Sequence, residues 1–152
     1  MVNLLQDFKD FLRLLNSHGV EYLLVGGYAV CFHGYPRYTS DMDIWIAVEQ
    51  SNAVRMVAAL REFGFDLPGL TTAMFLQETR MTQLGREPVK IKILNKISGV
   101  TFSEARQRSA VYQVENLSIP VIGLSDLRAN KLASGRLKDL ADLENLPSPP
   151  HI

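Results

Sequence analysis

The chain has 152 residues, 47% of them hydrophobic, and its 16 basic and 16 acidic residues leave no formal net charge. That length is enough to bury a core within one domain, and the charge balance excludes a generally basic surface that would hold nucleic acid in bulk. The lone Cys31 excludes an internal disulfide and fits a reducing compartment. No apolar run approaches membrane-spanning length. Asp7, Lys9, Asp10 and Arg13 break up any leader-like apolar region, so a cytoplasmic protein is expected.

Leu4, Leu5, Phe8, Phe11, Leu12 and Leu15 fall at helical spacing and predict an amphipathic helix over 3–17, with Asn3 as its cap and Gly19 after its end. Tyr22 to Val25 reads as a strand. A short helix over Tyr28 to His33 is closed by Gly34 and Pro36. A second strand is expected from Asp41 to Val48, then a helix from Asn52 to Phe63 with Val54, Met56, Val57 and Leu60 inward and Gly64 as its stop. Thr72 to Gln77 is open between a helical turn and a strand. Arg80–Leu84 and Pro88–Leu94 read as antiparallel strands joined by Gly85-Arg86-Glu87, with Lys90, Lys92 and Leu94 on one face and Val89, Ile91 and Ile93 on the other. A short helix over 103–108 follows, then a hairpin of Ala110–Val114 and Leu117–Val121. Ser125 is expected to cap a helix to about Ala133, and Lys138–Leu146 forms the last one. The order implies an α+β fold: a mixed β-sheet with helices packed on it. The domain would cover 1–146, and the Pro-rich residues 147–152 would form a flexible tail.

The chemistry concentrates between Leu23 and Val48. A strand that stops at Gly26-Gly27 and turns into a helix brings backbone close to a ligand and offers N–H groups to a phosphate. Asp41 and Asp43 lie two apart on a strand and so share a face. Paired carboxylates repel without a cation, and magnesium takes one or two of them together with substrate phosphates. The combination points to nucleotide chemistry. Arg37 is placed to touch phosphate; Thr39 and Ser40 either bond substrate or shape the strand start. Trp45 shares the aspartates' face and either packs or borders a pocket. Cys31 and His33 read as packing residues, and His18 and His151 as surface ones. Three scattered histidines and one cysteine make no zinc site.

Gly26-Gly27 followed by Asp41-Met42-Asp43 resembles the signature of the nucleotidyltransferase superfamily that includes DNA polymerase beta. The run His33-Gly34, Arg37-Tyr38-Thr39, Asp41-Met42-Asp43 is similar to that of small bacterial members, the minimal nucleotidyltransferases and the abortive-infection toxins of toxin–antitoxin pairs. A second block, Asn130 to Asp142 with Lys131, Arg136, Asp139 and Asp142, resembles a late-helix segment of the toxin-type members. The likeness spans about residues 20–146. It implies a metal-dependent transfer of a nucleoside monophosphate from a nucleoside triphosphate to a hydroxyl of RNA (tRNA among them), protein or a small molecule. It also implies that Asp41 and Asp43 hold magnesium or manganese and act in catalysis. By the same resemblance Gly26 and Gly27 cradle the triphosphate, Lys131 and Arg136 meet phosphate or the base-proximal side, and Asp139 and Asp142 orient those cations or are simply solvated. The chain is short for the family, which implies a partner subunit or a second copy to complete acceptor recognition, and the toxin-type likeness implies an antitoxin as partner.

The pattern breaks at one place. Active members carry a third carboxylate on the later strand, as general base, and the residue aligned with it here is Lys92. Lysine cannot accept the proton while charged, and it places a cation beside the two aspartates. An ammonium about 4 Å from a carboxylate is worth roughly 4 kcal/mol at an effective dielectric of 20, before desolvation. Lys92 is therefore expected to stand in for part of the metal's charge. The readings left open are an active transferase and a catalytically degenerate member that binds a nucleotide or a partner.

Overall fold

Tyr22–Val25 is apolar at every position, and in the computed structural model it forms β1, a strand buried along its whole length. The structure describes residues 4–66 and 68–148. The elements are α1 (Gln6–Ser17), β1, α2 (Gly26–Phe32), β2 (Asp41–Ile46), α3 (Gln50–Phe63), a 3-10 turn (Thr72–Phe75), β3 (Met81–Arg86), β4 (Val89–Leu94), α4 (Phe102–Gln107), β5 (Ala110–Val114), β6 (Leu117–Val121), α5 (Leu124–Ser134) and α6 (Leu137–Asn145). The six strands form one sheet in the order β3-β4-β2-β1-β6-β5. β1 pairs antiparallel with β2 and parallel with β6, while β2 pairs parallel with β4. The hairpins β3–β4 and β5–β6 close the two edges. This is the expected α+β arrangement, a mixed sheet carrying helices. None of the described helices is long and apolar enough to cross a membrane.

β1 and β2 are the two central strands of the sheet, yet only β1 is buried at every position. Met42, Ile44 and Ile46 are fully buried in the core with Phe8, Phe11, Leu12 and Leu15 of α1. Asp41 and Asp43 alternate with them and point the other way. Aromatic contacts tie the helices to this core: Phe8 meets Tyr28 edge-on at 5.7 Å between ring centroids, and Phe11 meets Phe63 in a tilted pair at 5.2 Å. Trp45 is buried edge-on against Phe102 at 5.1 Å, so packing is its role. Asn52 staples the strand ends to α3: it accepts from the Glu21 N–H at 2.7 Å and donates to the carbonyls of Glu21 and Ala47 at 3.1 and 2.8 Å.

Several boundaries differ from the sequence reading. The α2 helix begins at Gly26 rather than Tyr28. In α3 the inward stripe runs Ala53, Met56, Val57, Leu60, and Val54 is half exposed. The helix starts two residues earlier than expected, and the small Ala53 occupies the inward position at the i, i+3, i+4 spacing. Gly85 and Arg86 belong to β3, paired with Lys90 and Val89, so the turn narrows to Glu87-Pro88. Ser125 does not cap α5: the cap falls on Gly123, where a Cβ would meet the Arg108 carbonyl at 2.6 Å and glycine fits the close approach. The expected cap Asn3 and residues 149–152 of the expected tail lie outside the described residues.

Candidate active site

The site grows from the β1–α2 junction. Gly26 has a φ of +68°, and a Cβ on it would collide with the Asp43 carboxylate. A Cβ on Gly27 would collide with the Thr39 hydroxyl. The glycine pair therefore lets the α2 backbone lie directly against the aspartate strand and the loop that feeds it. Because α2 is only seven residues long, its dipole is small, and anion attraction falls mainly to charged side chains.

Those side chains surround a cavity of about 370 Å³ between the sheet face, the 37–40 loop and helices α5 and α6. Most of the residues singled out from the sequence line it: Gly26, Gly27, Arg37, Thr39, Ser40, Asp41, Asp43, Lys92, Lys131, Arg136 and Asp139, but not Asp142 or Trp45. Six basic and three acidic residues face this space, in a chain whose net charge is zero. The cavity is thus a local concentration of positive charge suited to an anion.

Strand register fixes the floor. Asp41 lies opposite Lys90 and Asp43 opposite Lys92 across the parallel β2–β4 pair. The Lys92 ammonium is 3.3 Å from Asp41 Oδ2, and the Lys90 ammonium is 3.6 Å from Asp41 Oδ1. The Ser40 hydroxyl donates to Asp41 Oδ1 at 3.3 Å. Burial works to raise the Asp41 carboxyl, but the hydrogen bond and charge of Lys92, with Lys90 and Ser40, outweigh it and hold Asp41 below the ordinary carboxylate range. Asp43 goes the other way. Burial pushes it up to about 6, with the Asp41 charge adding to the rise against the opposing pull of Lys92. Its Oδ1 is buried with no hydrogen-bond partner.

That orphaned oxygen on a shared strand face is a donor that would fit a hard divalent cation held between Asp43 and Asp41. A second cation does not fit as well. Among the described residues no group of three or more acidic, histidine or cysteine side chains converges, and the Lys92 ammonium lies 3.3 Å from Asp41 Oδ2.

The opposite wall is a chain of ion pairs. Arg37 donates from Nε and Nη2 to the two oxygens of Asp142, at 2.8 and 3.0 Å. The Lys131 ammonium sits 3.1 Å from both Asp142 Oδ2 and Asp139 Oδ1. Asp139 in turn accepts from Arg136 Nε at 2.8 Å and from the Ser134 hydroxyl. Burial opposes ionisation of Asp139, yet Arg136, Ser134 and Lys131 bring it down to about 2. Asp139, Asp142 and Lys131 are all buried, so neither aspartate is solvated; both hold the cations in place. The sequence reading missed Lys96, Lys138 and Asn130 on the cavity wall. Lys96 lies in a loop and Lys138 in the first turn of α6, and no spacing rule distinguishes them from surface lysines.

No protein-family model matches the chain, and no curated protein matches it significantly in sequence. Solved structures do match. One is a candidate nucleotidyltransferase from Thermotoga maritima, at a TM-score of 0.61 and 16% identity over 90% of this chain and 88% of that one. Another is an antigenic nucleotidyltransferase-like protein from Paracoccidioides brasiliensis, at 0.56 and 14% over 90% and 72%. A third is the lincosamide antibiotic adenylyltransferase LnuA bound to lincomycin, at 0.58 and 16% over 95% and 97%. At such identities the likeness is one of architecture, and it extends over nearly the whole chain. The chain therefore shares its fold with these solved nucleotidyltransferase and nucleotidyltransferase-like structures.

Proposed function

We propose that this protein binds a nucleoside triphosphate in the cavity above Asp41 and Asp43 and transfers its nucleotidyl group to a hydroxyl acceptor. The observation that carries the reading is the meeting of the aspartate pair with six basic side chains in one cavity, on this fold. The triphosphate lies along the glycine junction and the lysine–arginine wall. A divalent cation held by Asp41 and Asp43 supplies neutralisation of phosphate charge. The acceptor oxygen attacks the α-phosphorus, a new P–O bond forms, the bond to the β-phosphate bridging oxygen breaks, and pyrophosphate leaves. Positioning and charge carry most of such a reaction.

Asp139 is committed to Lys131 and Arg136, and Lys92 occupies the position of the expected base. The acceptor's proton therefore passes to solvent, and turnover is slow. A second reading rests on the same lysine: with its ammonium 3.3 Å from Asp41, the protein holds nucleotide, or a partner, without turnover.

The acceptor class remains that of the sequence reading: RNA such as tRNA, a protein side chain or a small molecule. The likeness to LnuA, an adenylyltransferase of lincosamide antibiotics, favours a small molecule. Action as a toxin held by an antitoxin, completion by a partner subunit or second copy, and work in the cytoplasm belong to the same proposal. Incubation of purified protein with each labelled nucleoside triphosphate, magnesium or manganese, and tRNA or lysate tests it. Label passing to any acceptor, and lost in Asp41→Ala/Asp43→Ala, supports the transferase. Tight nucleotide binding without label transfer supports the second reading. Growth arrest on expression, relieved by Asp41→Ala, supports the toxin role.

A further inference from the structure

Behind the cavity wall stands a residue that the nucleotide itself would never touch. Asp142 lies on α6, buried behind Arg37 and Lys131, and does not line the cavity. Its two oxygens receive Nε and Nη2 of Arg37 in a two-point fork at 2.8 and 3.0 Å. The remaining arm, Nη1, donates to the Tyr38 carbonyl at 3.0 Å. A guanidinium has five N–H donors in a fixed plane. Three are used, which leaves one on Nη1 and one on Nη2. The Nη1 end is packed against the glycine junction, since a Cβ on Gly27 would come within 3.3 Å of it. A loop arginine has ample freedom to swing into solvent, yet this one is held by its plane at the start of α2.

We propose that Asp142 is the positioning residue of the phosphate site: it fixes the guanidinium plane of Arg37 so that the two free N–H groups face the triphosphate at Gly27. The inference rests on the nucleotide-binding reading above. It assigns α6 a share in that site, because the same carboxylate also seats Lys131 at 3.1 Å. A lysine in place of Arg37 keeps the charge but cannot form the fork. The position therefore needs the arginine–aspartate geometry rather than a cation alone.

Isothermal titration with all four α,β-methylene nucleoside triphosphates in magnesium tests this on the full chain. Wild type is expected to bind at least one of them. Asp142→Asn, with a far-UV spectrum like wild type, is expected to bind it about tenfold or more weakly. Arg37→Lys should be weakened similarly, although its charge is intact. Adding Asp142→Asn to Arg37→Ala should weaken binding less than Asp142→Asn does alone, because the carboxylate acts largely through the arginine. A purely structural ion pair predicts instead that Arg37→Lys binds as wild type does. That result, or full additivity in the double variant, overturns the positioning role. If wild type binds none of the four, the nucleotide reading itself fails and the inference falls with it. If wild type and Asp142→Asn bind equally, only the inference fails.

Discussion

Lys92 is the residue whose replacement should say most about the site. Its ammonium stands 3.3 Å from Asp41 Oδ2, with the Lys92 side chain 32% exposed and that of Asp41 19% exposed. At that separation Coulomb attraction is about 5 kcal/mol at an effective dielectric of 20 and about 1.3 kcal/mol in bulk water. With Lys92 a third open to solvent, the lower figure is the safer guide. A divalent ion approaching Asp41 must displace or tolerate that ammonium. Lys92→Met should therefore tighten manganese binding by about tenfold, which corresponds to about 1.4 kcal/mol. Lys92→Asp should tighten it further, since it adds a hard oxygen ligand on the same face. Electron paramagnetic resonance of free manganese during titration measures this without reference to turnover, and the Lys92→Met gain should shrink in high salt. Manganese affinity unchanged within about twofold in both variants would refute the claim that Lys92 competes with a cation for Asp41.

Other consequences are open to simpler tests. Gly26→Ala should destabilise the fold by about 1–2 kcal/mol from the left-handed backbone alone, and more from collision with the Asp43 carboxylate; thermal unfolding will report it. The Asp43 carboxyl, raised to about 6 from an ordinary value near 3.8, binds a proton more tightly in the folded state. Its contribution to stability is therefore present at low pH and is lost as pH rises from about 4 through 6. Asp43→Asn should remove that loss and stabilise the metal-free protein at pH 7 by up to about 3 kcal/mol, seen as a gap between denaturant midpoints that opens across this window. Asp139 behaves oppositely: its carboxyl is lowered to about 2, so its contribution is full at neutral pH and is lost as pH falls from about 4 to 2. Lys131→Met leaves two buried carboxylates short of a partner and should cost about 3–5 kcal/mol in urea unfolding; a loss below about 1 kcal/mol would mean the wall is far more hydrated than its burial indicates.

The legible parts of this chain were those with strict local rules. Strands β1, β5 and β6 fall where alternation and turn residues place them, and Gly64 ends α3 in the left-handed region. The period of two put Asp41 and Asp43 on one face, and Lys90 and Lys92 on one face, before any register was known. What periodicity does not carry is which strands meet. That Lys92 pairs with Asp43 across a parallel contact depends on the long-range β2–β4 crossover. Val54 is the bulkier apolar residue and draws the inward assignment, but the small Ala53 beside it fills that position once the helix has docked. The Asp142–Arg37 fork joins residues 105 positions apart, beyond the reach of any spacing rule.

The distribution of charge links these observations to one account of the site. Asp41 is already neutralised by two lysines, and the Lys92 charge also acts on Asp43, which burial raises only to about 6. The floor thus presents much less negative charge to an incoming anion than two free carboxylates would. Across from it, Asp139 and Asp142 on α6 are fewer than the three cations they hold, Arg37, Lys131 and Arg136, so that wall keeps a net positive charge. Lys96 and Lys138 add to it at the rim. A triphosphate entering this cavity meets compensating charge from side chains before any cation arrives. Its affinity should therefore depend less on magnesium than in a site with three carboxylates and fewer lysines. Titration of an α,β-methylene nucleoside triphosphate in magnesium and again in EDTA decides the point. Binding retained within about tenfold in EDTA supports side-chain neutralisation; complete loss would mean that Lys90 and Lys92 shield Asp41 without substituting for the metal.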